Sequence, residues 1–522
     1  MRRKVALLTA CRAVTFAVAR RWAELAAGAK GTLGTSLAGE EAITGPWAVL
    51  NSLNRFVATL REIEREGEPV LDPRRVRVRA NGQVVVEVFP ADAADRLLQL
   101  GLRADVWMQP GVTRESLPAS VAVWYGQPSP LPQVVAVLGA GNISSIGLLD
   151  VLYKLVAEGS VCLLKVHPLF AHLSPVFAGA FAPLIDEGYL RLAEGGAAVG
   201  RYLCTHPLVD AIHVTGSEAT YAAIAADNPS HKPITSELGN VSPAIVLPGE
   251  WSQRALRFHA EQLASAKLHN NGFNCIALQV LVLPAQWRQK EALLAEIRRA
   301  FETASDRIAY YPGARERYAD LVARRSGVSR FGGADETRIA RTIVAVEPAD
   351  LGEPFYSTEA FCPVLAVVSV EAAGVAAYLR AAVDFCNDRL RGDLAASLLV
   401  DASTAASHPE ALDEAIAALR YGCIGVNIWS GVGFLLPAVP WGAYRGGELA
   451  TSGFGVVHNT RLFSLSQKAV LHAPFLPPLR ALKPPWFITH RNQPQIGLDL
   501  CEFERSGSPA ALAKVAWHTL TG

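Results

Sequence analysis

The chain has 522 residues, 49 Lys and Arg against 48 Asp and Glu, and a formal net charge of +1. That balance excludes an overall electrostatic design for nucleic acid or acidic membranes. With 50% hydrophobic and 19% charged residues it also excludes a disordered chain, and at roughly 150 residues per domain the length allows three or four units or two large ones. In chain order, the first apolar stretch, 5–11, is broken by Arg12, Arg20 and Arg21. It is too short for a signal-peptide core and reads as an amphipathic helix. Helices are predicted over 14–27 and 46–66. A hairpin follows over 76–80 and 84–88, turning at Asn81-Gly82.

From residue 134 strands alternate with helices: strand 134–138, helix 146–158, strand 161–166, helix 175–187, strand 211–215, helix 218–226, then a strand before Glu237. Such alternation predicts a mostly parallel sheet covered on both faces. A second α/β region runs through helix 252–268, strand 276–283, helix 287–301, strand 364–370, helix 371–385, strand 395–400, helix 409–419 and strand 423–427. The uncharged stretch 421–444 has membrane-spanning length, but its glycines and prolines favour a buried strand with an irregular, pocket-lining loop. After Gly455, Pro474, Pro477, Pro478, Pro484 and Pro485 predict an extended tail packed on a neighbouring domain or subunit. The expected units are 1–236, 237–455 and 456–522.

Six motifs carry candidate chemistry. Gly139-Ala140-Gly141-Asn142 joins a strand to a helix, where Asn142 can offer an amide N–H or simply cap the turn. Lys165 ends a strand where parallel sheets bind ligands, or is a solvated strand end. Gly216-Ser217 opens a helix, where Ser217 can meet a phosphate or only cap the helix. Glu237 lies between apolar strands; sequestered, its pKa rises and it becomes a usable base. Cys275 follows the small and polar run Asn271-Gly272-Phe273-Asn274. It is an exposed nucleophile or, like most lone cysteines, buried and inert. Glu359-Ala360-Phe361-Cys362-Pro363 pairs a sugar-binding carboxylate with a ring. The eight cysteines contain no CxxC pair and no His/Cys cluster has zinc spacing, which argues against a disulfide framework or a metal and for a reducing, cytoplasmic setting.

Taken together, Asn142, Lys165, Gly216-Ser217, Glu237, Cys275 and Glu359-x-Phe361-x-Pro363 resemble the aldehyde dehydrogenase superfamily. They occur in that order, with 23 residues from Asn142 to Lys165, 52 from Lys165 to Ser217 and 38 from Glu237 to Cys275. The run Gly195 to Gly200, then His206 to Asp210, and downstream Val426-Asn427 and Trp441-Gly442, add to the resemblance, which covers roughly 134–455. It implies an α/β fold with a Rossmann-type NAD(P) domain, a catalytic α/β domain and a small oligomerisation element. It implies Cys275 as nucleophile, Asn142 and the Cys275 N–H as oxyanion donors, and Glu237 as the base that hydrolyses a thioester. Lys165, Gly200, Gly216, Ser217, Glu359 and Phe361 would hold the dinucleotide. The expected partners are a small aldehyde and further copies of the chain, as a homodimer or homotetramer, with no nucleic acid and no membrane span.

Departures from the family pattern sharpen these expectations. Ala140-Gly141 stands where Pro-Trp is usual and looks more like the acyl-CoA reductase branch, the second reading. Glu237, often missing from CoA-acylating relatives, favours hydrolysis. Pro168 replaces a carboxylate that would repel a 2′-phosphate, so NADP joins NAD as a candidate. A third reading is an inactive dinucleotide-binding scaffold. Trp429, Phe434, Trp441 and Tyr444 line an aromatic pocket or belong to the core.

Overall fold

The computed structural model describes residues 1–522 except 129–130, 229, 324, 326, 446–450 and 481. The smaller of two α/β units is a six-stranded sheet. Its strand order is Gly453–Phe454, Ile234–Leu238, Ala211–Gly216, Val134–Leu138, Val161–Lys165, Leu190–Ala193. All neighbours run parallel except Gly453–Phe454, which is antiparallel to Ile234–Leu238. The chain moves outward one way from Val134–Leu138, then returns to its other side with Ala211–Gly216. This makes a topological switch point between those two strands. Leu138 is level with Lys165 and Val214, and Gly216 with Leu238. The loops after these strands therefore share one rim.

The larger sheet has eleven strands. At its centre Ser242–Val246, Leu278–Pro284, Val364–Val370 and Ala395–Leu399 are parallel and almost wholly buried. Unbroken runs such as Val280–Leu283 are what a sheet covered on both faces requires. Helix Gln253–Leu268, capped by the Ser252 hydroxyl accepting from the Ala255 N–H at 3.2 Å, delivers the chain to residue 275.

Three features differ from the sequence reading. The Asn81-Gly82 hairpin forms, with Val78 opposite Val84. It does not join the cofactor unit: with Arg103–Met108 it extends the larger sheet through Ser466–His472. The tail is also not extended throughout. Ser466–His472 pairs parallel with Cys423–Val426, and helices Gln493–Ser506 and Pro509–Leu520 come after it. The prolines are confined to the connection 474–485 and to helix first turns, where a missing N–H costs nothing. The N-terminal helix is longer than the 14–27 prediction: Arg2–Ala29 buries Leu8, Cys11, Thr15, Ala19, Trp22 and Ala26 at three- and four-residue steps. Among the described residues no helix is long and apolar enough to cross a membrane, and no cluster of three or more His, Cys, Asp or Glu could hold a metal.

Candidate active site

A groove of about 1200 Å³ opens at the rim of the smaller sheet and runs to the larger one. All nine residues singled out above line it: Asn142, Lys165, Gly200, Gly216, Ser217, Glu237, Cys275, Glu359 and Phe361. At one end Lys165 lies against Gly200, where an added Cβ would touch its side chain at 3.5 Å. Burial lowers the Lys165 pKa from its ordinary value. His167 crosses Gly141 so closely that a Cβ there would stand 2.3 Å from the ring. Burial, with the Lys165 charge adding to it, pushes that imidazole down to about 4. Ser217 caps helix Glu218–Ala226, its hydroxyl accepting from the Thr220 N–H at 3.2 Å, so the capping role and a place on the groove wall coexist.

At the other end Glu359 lies over Gly239, where even a methyl group would collide with its carboxylate at 2.2 Å. Among the described residues its Oε1 is buried without a partner. Burial pushes its pKa up to about 8, against the Asn240 backbone N–H and with the Glu237 charge. Phe361 takes a left-handed conformation, φ +42°, which turns its ring against Tyr311 at 4.7 Å between centroids.

Cys275 stands where this groove meets a second, small cavity; Asn142, Ile146 and Cys275 line both. Seven of the eight cysteines are buried, and Cys275 is the exception. Three successive left-handed residues, Asn270, Asn271 and Gly272, fold the loop before it. This loop aims the Phe273 carbonyl at the Asn142 carboxamide, whose Nδ2 donates to it at 3.1 Å. A carboxamide has two N–H bonds, so the second remains for a ligand. Glu237 is 3% exposed and lines the groove together with Cys275; among the described residues its Oε1 is buried without a hydrogen-bond partner. Burial, opposed by the neighbouring Cys275 thiol and reinforced by the Asp150 charge, brings the Glu237 pKa up to about 7. Burial and the charges of Glu237 and Glu359 hold the thiol well above its ordinary range. The pair is a neutral thiol beside a carboxyl poised near neutrality.

The aldehyde dehydrogenase family model matches residues 115–455. The chain belongs to that family. Coniferyl aldehyde dehydrogenase of Pseudomonas sp. (strain HR199 / DSM 7063) is 27% identical over 236 residues, 41% of this chain and 47% of that protein. The 4-trimethylaminobutyraldehyde dehydrogenase of Homo sapiens is 35% identical over 96 residues, 17% of this chain and 19% of that protein. The alignments thus span half or less of these curated relatives. The NAD-dependent aldehyde dehydrogenase of Sinorhizobium meliloti superposes with a TM-score of 0.62 at 17% identity, covering 92% of this chain and 83% of that one. Glyceraldehyde-3-phosphate dehydrogenase GapN of Methanocaldococcus jannaschii, complexed with NADP, gives 0.60 at 15% identity, covering 90% and 89%. At such identities the likeness concerns the aldehyde dehydrogenase fold alone.

Behind Asn142 lies a buried polar network that the sequence reading missed. The Asn142 carbonyl accepts from Lys30 Nζ at 2.8 Å, Asn270 Nδ2 at 3.1 Å and the Tyr310 hydroxyl at 3.2 Å. Lys30 is paired with Glu41 at 2.7 Å, both nearly inaccessible. Arg307 grips both oxygens of Glu40, at 2.7 and 2.6 Å, and the Asn270 N–H adds a third bond. Burial opposes ionisation of Glu40, but Arg307 outweighs it and the carboxyl sits down at about 2. The N-terminal segment, outside the family match, thus supplies charges that fix the loop carrying the amide. Helical periodicity marks Glu40, Glu41 and Lys30 only as polar positions. Their partners lie up to 267 residues away, so no local signal identifies them.

Proposed function

We propose that this chain oxidises an aldehyde to a carboxylic acid with NAD or NADP, through a thioester on Cys275 that water hydrolyses with Glu237 as base. The observation that carries the reading is the pairing of the one cysteine that is only partly buried with a buried carboxyl whose pKa is about 7. A dinucleotide fits the groove on three counts. It lies beyond the carboxyl ends of parallel strands at a switch point. A helix N-terminus at Ser217–Glu218 faces it, as a pyrophosphate requires. The buried, unpartnered Glu359 Oε1 lacks a hydroxyl donor of the kind a ribose offers. Lys165, Gly200, Gly216, Ser217, Glu359 and Phe361 would hold the cofactor. Basic Lys165 lines the groove with Arg201, which is paired with Asp227, and Pro168 brings no carboxylate beside Lys165, so NADP stands beside NAD as a candidate.

When bound, the dinucleotide supplies the acceptor for the hydride leaving the former aldehyde carbon. The chain's own residues do the rest. Cys275 passes its proton to Glu237, and the thiolate adds to the carbonyl. The second Asn142 N–H and the Cys275 backbone N–H hold the oxyanion, a donor of this type being worth ~2.7–4 kcal/mol. After the thioester forms, Glu237, deprotonated again, takes a proton from the attacking water, and Cys275 leaves as thiolate.

The test is an aldehyde panel with NAD and with NADP, with and without CoA, following reduced dinucleotide and identifying the product. Free carboxylic acid without CoA is expected. An absolute requirement for CoA would replace hydrolysis by the acyl-CoA reductase reading. Dinucleotide binding without turnover of any aldehyde or acyl-CoA would leave only the scaffold.

A further inference from the structure

The small cavity on the far side of Cys275 has a volume of about 40 Å³. Part of its wall comes from outside the family stretch 115–455: Glu40, Ile43 and Thr44 from the N-terminal segment, Pro485 and Trp486 from the tail. The remaining wall includes Ile276, Trp429, Phe434 and Leu435. We propose that this pocket receives the side chain of a short, uncharged aldehyde, and that Trp486 closes it and sets the length limit. The proposal rests on the reading of Cys275 as the nucleophile.

Size gives the first argument. A water needs roughly 10–15 Å³ of such volume, so the space holds about three or four waters, the bulk of a chain of a few carbons. Charge gives the second. The one carboxylate on the wall, Glu40, has both oxygens engaged by Arg307. His269 is held to Asn274 at 3.1 Å, and burial lowers its pKa, so it is neutral. Neither a carboxylate nor a trimethylammonium tail finds an unpaired counter-ion there, and burying one unpaired is costly.

Rigidity is the third. Trp486 is 9% exposed and packs on Trp429 at 5.4 Å between centroids. The indole N–H of Trp429 donates to the Ile276 carbonyl at 3.0 Å. Just beyond Trp486 the backbone is tied down: the Ile488 N–H donates to Ser265 Oγ at 3.1 Å and Gln493 Nε2 to the Phe487 carbonyl at 2.6 Å. The tail is a fitted wall. Pro485 is only half-buried, so solvent lies just beyond it.

The experiment measures kcat/KM of the full-length enzyme for unbranched aldehydes from two to ten carbons. Two charged aldehydes of similar length are added, one with a carboxylate and one with a trimethylammonium group. The wild type is expected to lose about tenfold per methylene beyond the limit and to discriminate against both charged substrates by at least as much. Trp486→Ala should move the limit outward by several carbons; Trp486→Phe should move it less. A length profile that stays put in folded Trp486→Ala and Trp486→Phe would overturn the role of Trp486. A charged aldehyde used as well as butanal by the wild type would overturn the substrate class without needing any variant. Turnover of no aldehyde at all would instead strike the reading of Cys275, a distinct result.

Discussion

The two sides of Cys275 are built from different materials. The dinucleotide side is made of strand ends: Gly139, Lys165, Gly216 and Gly239 each follow or close an apolar run of the six-stranded sheet, and register brings them to one rim. The proposed aldehyde side is lined mainly by the central unit, with both chain ends folded onto it, so that Ile43 and Trp486 line the same small cavity. The first construction is local and repeats wherever a parallel sheet ends. The second depends on contacts across hundreds of residues. On the proposed reading the cofactor would be held by the shared part of the fold, and the aldehyde by a pocket to which the chain's two ends add walls that the family model leaves out.

The sharpest way to break this division is at the sulfur that serves both sides. Cys275→Ala should abolish aldehyde oxidation, by roughly 10⁴-fold or more, while dinucleotide affinity, measured by titration, stays within a few fold. Turnover near wild type would remove Cys275 from the chemistry. Next in size is Glu237→Gln. It should give one stoichiometric burst of reduced dinucleotide and then stall, the steady state falling by about 10²–10⁴. An intact steady state would mean that another base serves the water.

Asn142→Ala tests the junction itself. Loss of one oxyanion donor should cost about 10²–10³ in kcat. Lys30→Met asks whether the N-terminal network supports that donor. It removes the cation between Glu41 and the Asn142 carbonyl. Breaking a buried pair typically costs 3–5 kcal/mol of stability, so lower thermal stability together with a reduced kcat at unchanged dinucleotide affinity is expected. A kcat equal to wild type would show that the network stabilises the fold without tuning the site.

The same division explains how much was legible in the sequence. The parallel sheet, the hairpin and the strand-end residues arise from short patterns with turn chemistry between them. Ser466–His472 was hidden because only Ala469, Val470 and Leu471 form its apolar run and prolines crowd the segment after it. It is nonetheless a buried strand of the larger sheet. Lys30, Glu40 and Glu41 carry no local mark of burial, because the Lys30–Glu41 and Arg307–Glu40 pairs are what make burial tolerable, and pairing is a property of the folded chain. Of the four aromatic residues, Trp429 and Phe434 line the small pocket, whereas Trp441 is 1% exposed and packs edge-on against Phe434. Periodicity cannot separate these outcomes, because both are apolar positions in one loop.

The smallest expected effect concerns stability, and it turns on the sign of one pKa shift. Folding raises the Glu237 carboxyl from an ordinary 4.5 to about 7, so the folded chain binds this proton more tightly than the unfolded chain does. The stabilisation is complete below pH 4.5 and is lost as pH rises through about 7, on the order of 3 kcal/mol over the window. A neutral glutamine has no such dependence and does not leave a buried charge at high pH. Relative to wild type, Glu237→Gln should therefore gain stability between pH 6 and pH 8, by about 3 °C in Tm or less for a chain of this size. Activity has the opposite trend, since only ionised Glu237 can take a proton, and the rate of thioester hydrolysis should rise through an apparent pKa near 7. Thermal melts of wild type and variant at the two pH values, beside single-turnover hydrolysis across the same range, read both limbs. A Tm difference that does not move with pH would show that Glu237 is not held in the buried, proton-favouring setting from which its role as a base is argued.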